Sequence, residues 1–293
     1  MAVRAPEQIN GRTRDQTMHA GKEVVVIDIP SPGVLGGVFS DLILALTHAM
    51  SRLGVKVVYS RQFVKTHHPV LVFGLYREFI NKTPQIQLPD NYFPFNLSPI
   101  MPEASEWFDH YIRCIANHHL IDYSWRNAEQ IRQRAPAGKN LHVFDFGYID
   151  LMPFGGFQRS DTCLFYGKLN DDRVRRLRQF QEAGLKLNIL QNVWGHERDI
   201  QIRTAKAIVN IGKFNPNILE VYRIWHSLCL GTPVYSDAGV DATLVERYSK
   251  YVHIVDSLDM NALAAEPISP DIYRQSTDFM ESTRALLKFM GIA

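Results

Sequence analysis

Glu220 and Arg223 are two ionisable side chains set in an otherwise apolar stretch. Asn217, Glu220, Arg223 and Ser227 fall at steps of three, three and four, so on a helix they share one face. The residues between them, from Ile218 and Leu219 to Trp225 and Leu228, are apolar on nearly every side, the pattern of a buried helix. A buried carboxylate and guanidinium are costly unless they pair or bind something. Two readings are open. One is a structural Glu220–Arg223 ion pair on a half-exposed face. The other is a polar stripe facing a cleft. There the guanidinium fork holds phosphate oxygens bidentately, and the carboxylate accepts from sugar hydroxyls.

The elements around the pair follow from local signals. Residues 207–212 are a short, β-branched apolar run and read as a strand. Asn215 suits an N-cap, Pro216 a first helical residue and Gly231 a helix end, which predicts a helix over 216–230. Residues 234–237 begin the next strand and end polar. A second anion-binding point lies upstream, where strand 162–166 gives way to the turn Gly167-Lys168-Leu169-Asn170 and a helix from Asp171. Free N–H groups at a helix start attract anions, and Lys168 and Arg173 add formal charge. Arg175 and Arg178 read as a solvated helix face. Both points leave strand carboxyl ends, where parallel sheets bind ligands, so Lys168, Arg173, Glu220 and Arg223 can converge on one cleft.

The whole chain supports such a cleft. Its 293 residues are 46% hydrophobic and 21% charged, ordinary for a globular protein with a sizeable core. The net charge of +2 gives no case for nucleic acid. Cys114, Cys163 and Cys229 are odd in number and sit in apolar surroundings without metal-ligand spacing, so they read as reduced core residues. No apolar run reaches the length of a membrane span. Residues 1–22 are polar, lack an apolar signal core and read as a disordered tail. A strand at 24–29, a glycine-rich loop at 30–37, a helix at 39–53 and a strand at 55–59 form a βαβ opening. Strands at 69–75, 86–88, 93–97 and 141–146 and a helix at 107–117 continue the first half. Residues 149–161, with Pro153, Gly155 and Gly156, read as a linker. Alternation then restarts through strands at 162–166, 185–190, 207–212, 234–237 and 251–255, with a helix at 272–287. The fold class is therefore α/β, with two Rossmann-like domains, 23–150 and 151–293, facing a cleft.

Several short motifs occur in a common order. They are Phe95-Asn96-Leu97, Asp122-Tyr123-Ser124 with Asn127, Gly147-Tyr148, and Phe165-Tyr166-Gly167 with Leu169, Asn170 and Arg173. Trp194-Gly195, Asn210-Ile211, Glu220 with Arg223, and Gly231 with Val234, Ser236 and Asp237 follow. Jointly they resemble the B-type (GT-B) glycosyltransferases that carry one short carboxy-terminal nucleotide-sugar domain. The resemblance implies sugar transfer from a nucleotide-sugar donor to a glycan or lipid-linked acceptor. It implies a donor site at Gly167, Lys168, Asn170, Arg173, Asn210, Asn217, Glu220 and Arg223, and a final helix crossing back to the first domain. Trp194-Gly195 would shape the base or ribose pocket. No cofactor is implied, the nucleotide-sugar being a substrate. The chain has no Asp-x-Asp, so no metal is expected either, fixed cations serving instead. A cytoplasmic protein with peripheral contact at the inner membrane face, and no nucleic acid, completes the expectation. Two departures stand out. Gly212 replaces the family's His after Asn-Ile, and Ser98 replaces the Glu after Phe-Asn-Leu, so neither role carries over. For a base on the acceptor side Asp41 is the candidate, with Asp122 and Glu103 in reserve; Ser124 reads as a helix cap. The Ser98 and Gly212 departures keep an inactive nucleotide-sugar binding or scaffold protein in view as an alternative. A nucleotide-sugar epimerase of similar architecture is the other.

Overall fold

The computed structural model describes residues 23–29, 34–75, 88–100, 106–136, 138–151, 157–213 and 217–292. The expected tail at 1–22, residues 30–33 of the glycine-rich loop, residues 86 and 87, Glu103, residues 152–156 of the linker, and Asn215 with Pro216 lie outside them.

The first half runs β1 (Val24–Asp28), α1 (Val34–Arg52), β2 (Lys56–Ser60), β3 (Val70–Phe73), β4 (Tyr92–Asn96), α2 (Glu106–Ala116), β5 (Leu120–Asp122), α3 (Trp125–Arg134) and β6 (Leu141–Val143). The second runs β7 (Cys163–Tyr166), α4 (Asp171–Glu182), β8 (Leu187–Leu190), α5 (Gly195–Thr204), β9 (Ile208–Asn210), α6 (Val221–Cys229), β10 (Val234–Asp237), α7 (Ala242–Tyr248) and β11 (His253–Val255). It closes with α8 (Met260–Ala264), α9 (Pro270–Ser276) and α10 (Phe279–Phe289). Two separate sheets result, of order β2-β1-β3-β4-β5-β6 and β11-β10-β9-β7-β8. Every pairing is parallel. Strands such as Val70–Phe73, buried throughout, show why these runs are continuously apolar: helices cover both faces.

Several boundaries differ from expectation, among them those of α1 and of the last helix. Residues 34–37 are already the first turn of α1, not loop. Gly36 and Gly37 weaken a helix by about 1 kcal/mol each. Leu42, Leu46, Ala49 and Met50, all fully buried, anchor it regardless. The single helix expected at 272–287 is broken at Thr277 and Asp278. There the backbone turns to Tyr148: the Thr277 hydroxyl accepts from Tyr148 N–H at 2.9 Å, and Phe279 N–H donates to Tyr148 O at 3.0 Å. Asp278 then caps α10 through Met280 N–H.

The halves meet through aromatic packing at this point. Phe144 contacts Phe95, Phe146 and Phe279 with ring centroids 5.1–5.6 Å apart, and Trp225 stacks on Phe279 at 5.7 Å. The Trp225 indole N–H donates to Gly147 O at 2.9 Å. α10 lies against the first domain, with Phe289 over Phe93 and His142. Gly147 is where backbone meets backbone: a Cβ there would stand 2.3 Å from Asp278 C and 2.5 Å from Phe279 N. Neither neighbour is a side chain that can swing away. Gly147→Ala is expected to cost roughly 3 kcal/mol, the upper range for overpacking. A urea midpoint within error of wild type would show that α10 docks more loosely than drawn.

Candidate functional site

Strand order reverses between β1 and β3 in one sheet and between β7 and β9 in the other. Such reversals open a crevice beyond the strand carboxyl ends. In the second domain the crevice lies between Tyr166-Gly167, ending β7, and Asn210-Ile211, ending β9. Arg223 reaches it from the first turn of α6. One nitrogen, Nη1, donates to Asn210 Oδ1 at 2.7 Å; the other, Nη2, pairs with Glu220 Oε2 at 2.5 Å. Asn210 is fixed in turn by its amide donating to Ser236 Oγ at 2.8 Å. Gly167 leaves room for the guanidinium: its φ is +133°, and a Cβ would stand 2.5 Å from Arg223 Nη2. The second carboxylate oxygen of Glu220 pairs with Arg173. Asn170 caps α4 by accepting from Arg173 N–H at 3.0 Å, and donates to Lys213 O at 2.8 Å. Asn217 O accepts from Val240 N–H at 2.7 Å, and its side chain lies against Gly212. Lys168 is exposed at the rim.

The residues singled out in the second domain thus come together, with two changes of role. α6 begins at Val221 and not at 216, so Glu220 stands at its N-cap position and Asn217, Ile218 and Leu219 belong to the preceding loop. Arg173 lies beneath the crevice instead of lining it. Its side chain is 1% exposed. It donates to Ile211 O from Nε at 2.9 Å and from Nη2 at 2.6 Å, and to Lys168 O at 2.7 Å. Burial brings it down to about 10, with Glu220 pulling upward and Arg223 adding to the fall. Both guanidinium groups lie about 5.5 Å from the Phe165 ring. Arg173 therefore ties the two loops and presents Glu220 to Arg223; Arg223 and the exposed Lys168 are the cations at the crevice itself. Arg178 is exposed, as the solvated-face reading expects; Arg175 is exposed too, but with Arg176 and Lys213 it lines the cavity next to the crevice.

A cavity of about 940 Å³ opens among the loops leaving β7, β9, β10 and β11, lined by Asn170, Gly212, Lys213, Asn217, Asp237 and Val240 among others. Its floor is held by Asp237, which the sequence places in a motif without giving it a role. Asp237 takes both ends of the Arg176 fork, at 2.6 and 2.8 Å, with Gly212 N–H at 3.2 Å and Leu258 N–H at 2.8 Å. The polar end of the 234–237 strand and the Ser236-Asp237 motif were its signals; neither points to Arg176. Trp194 and Gly195 stand at the start of α5, beyond β8, with Trp194 exposed.

On the facing domain the carboxylates differ in role from expectation. Asp41 is 7% exposed, and its Oδ2 accepts from Arg198 at 2.7 Å and from the Tyr222 hydroxyl at 3.0 Å. A carboxylate committed to a guanidinium and a phenol from the opposite domain is not placed to take an acceptor's proton, which corrects its assignment as base. Asp122 is fully buried and accepts from Asn96 at 2.7 Å, Ser124 N–H at 2.9 Å and Asn127 at 3.0 Å. Ser124 caps α3 as expected, and its hydroxyl also donates to Asp241 Oδ2 at 2.6 Å across the interface. Asp28, ending β1 at the first domain's own crevice, is fully buried, with no partner for Oδ1 among the described residues. Burial pushes it up to about 6, against the pull of Ser60 and Tyr92. Below about pH 4 Asp28 is protonated in both the folded and the unfolded chain. Above about pH 6 it is ionised in both and the full cost of the buried charge falls on the fold. The melting temperature of Asp28→Asn minus that of wild type should therefore rise between those limits and level off above them. A difference constant with pH would mean that Asp28 is solvated.

Among the described residues, the one group of metal-ligating type drawn close enough to share an ion is Asp41, Asp199 and His226. Arg198 Nη2 sits at its centre, 2.7, 2.8 and 3.2 Å from the three. No helix among the described residues is long and apolar enough to cross a membrane.

The chain matches no protein-family model and no curated protein. Solved structures share its fold. AviGT4, a glycosyltransferase involved in avilamycin A biosynthesis, aligns with a TM-score of 0.56 at 12% identity, over 92% of this chain and 97% of that one. The β-glucosyltransferase of T4 phage aligns with a TM-score of 0.52 at 12% identity, over 92% of this chain and all of that one. The chain has the two-domain GT-B fold.

Proposed function

We propose that this protein is a glycosyltransferase that moves a sugar from a nucleotide-sugar donor to a glycan or lipid-linked acceptor without a metal ion. The observation that carries the reading is the assembly at the β7/β9 crevice. Arg223 is held by Glu220 and Asn210 above a glycine that makes room for it, beside a cavity ringed by strand carboxyl ends. The fold shared with two glycosyltransferases supports it. Arg223 and Lys168 would neutralise the diphosphate as it leaves, the charge that grows in the transition state. Hydroxyls of the ribose or sugar would donate to Glu220 and to the polar groups of the cavity wall. Preorganised cations supply the charge stabilisation that other transferases draw from a metal. Neither the inactive scaffold nor the epimerase gains support from the site.

A panel of nucleoside diphosphates and their sugars tests the reading. One should raise the melting temperature at millimolar concentration. Nucleoside diphosphate should then be released in the presence of glycan or lipid-linked acceptors, equally with and without EDTA. Activity abolished by chelation and restored by manganese or magnesium would overturn the metal-free part. No stabilisation by any nucleotide would overturn the whole.

A further inference from the structure

Behind the crevice, buried polar side chains from both domains meet. Asp41 comes from α1 of the first domain, Arg198 and Asp199 from α5, and Tyr222 and His226 from α6. Arg198 is 2% exposed and His226 1%. Arg198 Nη2 bridges Asp41 Oδ2 and Asp199 Oδ1, while the Tyr222 hydroxyl donates to Asp41 Oδ2. The Tyr166 hydroxyl, one residue before Gly167, donates to Arg223 O at 3.0 Å and lies 3.0 Å from Ser227 Oγ, so the end of β7 is tied to α6 as well. Burial alone would lower Arg198, but Asp41 and Asp199 outweigh it and hold it above its ordinary range, so it stays charged.

Buried ion pairs are weak sources of stability, and fixing one arrangement is their better-attested use. Asp41 ties the first domain to two elements of the second, and one of them, α6, carries Arg223 next to Tyr222. Asp241, bound to Ser124 Oγ and Arg126 N–H, also spans the interface, through α3 and α7, and Arg247 pairs with Asp145 at its more exposed edge. We propose that Asp41 is an interdomain positioning residue, whose carboxylate, gripped by Arg198 and Tyr222, sets the spacing between the acceptor domain and the helix that holds Arg223. Asp199 remains as counter-ion to Arg198 when Asp41 is neutralised, so Asp41→Asn breaks the link between domains without stranding the guanidinium. The kinetic part of this inference rests on the glycosyltransferase reading; the geometric part does not.

The experiment has two arms. Spin labels at the exposed positions Arg132 and Arg178, in a Cys114→Ser background, report the interdomain distance without any ligand. Wild type should give one narrow distribution. Asp41→Asn should broaden or shift it, Tyr222→Phe should do so less, and Lys186→Ala, which removes an exposed pair inside the second domain, should not. In the second arm, Asp41→Asn should lower kcat for transfer about tenfold to a hundredfold, the scale of a small misplacement of reacting groups. The Kd for nucleoside diphosphate, bound by the second domain alone, should stay within about twofold. A distance distribution unchanged in both variants overturns the proposal, and so does a loss of nucleotide affinity as large as the loss of kcat. Should Asp41→Asn fail to fold, Tyr222→Phe carries both arms. Should wild type neither bind nucleotide nor transfer sugar, the functional reading falls while the distance arm still decides this one.

Discussion

Replacing Arg223 with Lys is expected to weaken nucleoside diphosphate binding by roughly 1–3 kcal/mol, about five- to 150-fold in Kd, with little loss of stability. The charge survives the substitution, but the fork does not. In wild type one guanidinium donates at once to Asn210 Oδ1 and to Glu220 Oε2, which fixes its plane and aims its remaining N–H groups. An ammonium can satisfy Glu220 or reach a phosphate, and it has no plane to hold. The stability cost should be small because Arg223 keeps some solvent, at 11% side-chain exposure, and because Arg173 still balances Glu220. Titrating nucleotide and melting the same samples separates the outcomes. Unchanged affinity with a lowered melting temperature would reduce Arg223 to a structural partner of Glu220. Gly167→Ala should reproduce the loss of affinity from the other side, since its Cβ would occupy the place of Arg223 Nη2.

The features legible in the sequence are those whose signals are local. Continuous apolar runs gave the parallel strands, and their restart after residue 161 gave two sheets. The Gly167–Arg173 and Asn210–Asp237 segments stood out because turn, cap and charge occur within a few residues of each other. Ser124 and Asn170 were recognisable as caps for the same reason. The errors are all long-range in origin. Ile218 and Leu219 carry a helical apolar pattern, yet they lie in a loop that packs on the one after β10: a Cβ on Gly239 would touch Leu219 N at 2.4 Å. Periodicity cannot report a contact made twenty residues later. An arginine in the first turn of a helix normally faces water; Arg173 is buried because the end of β9 lays Ile211 O across it. Asp41 and Arg198 are 157 residues apart and have no spacing to betray them. The one available hint was a carboxylate directly before Leu42-Ile43-Leu44-Ala45, a place where charge has to be paid for.

Glu220→Gln is expected to do more damage than any change at Arg223, and of a different kind. Glu220 is the shared counter-ion of two guanidinium groups, and one of them, Arg173, has almost no contact with water. Its other acceptors are the carbonyls of Ile211 and Lys168, which satisfy its N–H groups without neutralising its charge. An amide at position 220 offers one acceptor oxygen and turns two further donors toward two cations. Breaking a buried pair by removing one partner costs roughly 3–5 kcal/mol, and with Glu220 24% exposed the lower end applies. The urea midpoint should fall accordingly with the slope unchanged, because the compactness of neither state is altered. If the stranded charge is the cause, removing it should recover stability. Arg173→Met in the Glu220→Gln background should lose less than the sum of the two single changes, by about 0.5–3 kcal/mol in a double-mutant cycle. Strict additivity would mean that Arg173 is solvated in the folded state and that the carboxylate serves Arg223 alone. Coupling of that size would instead make Glu220 the keystone of the crevice, the group through which a buried arginine holds the arginine that meets the ligand.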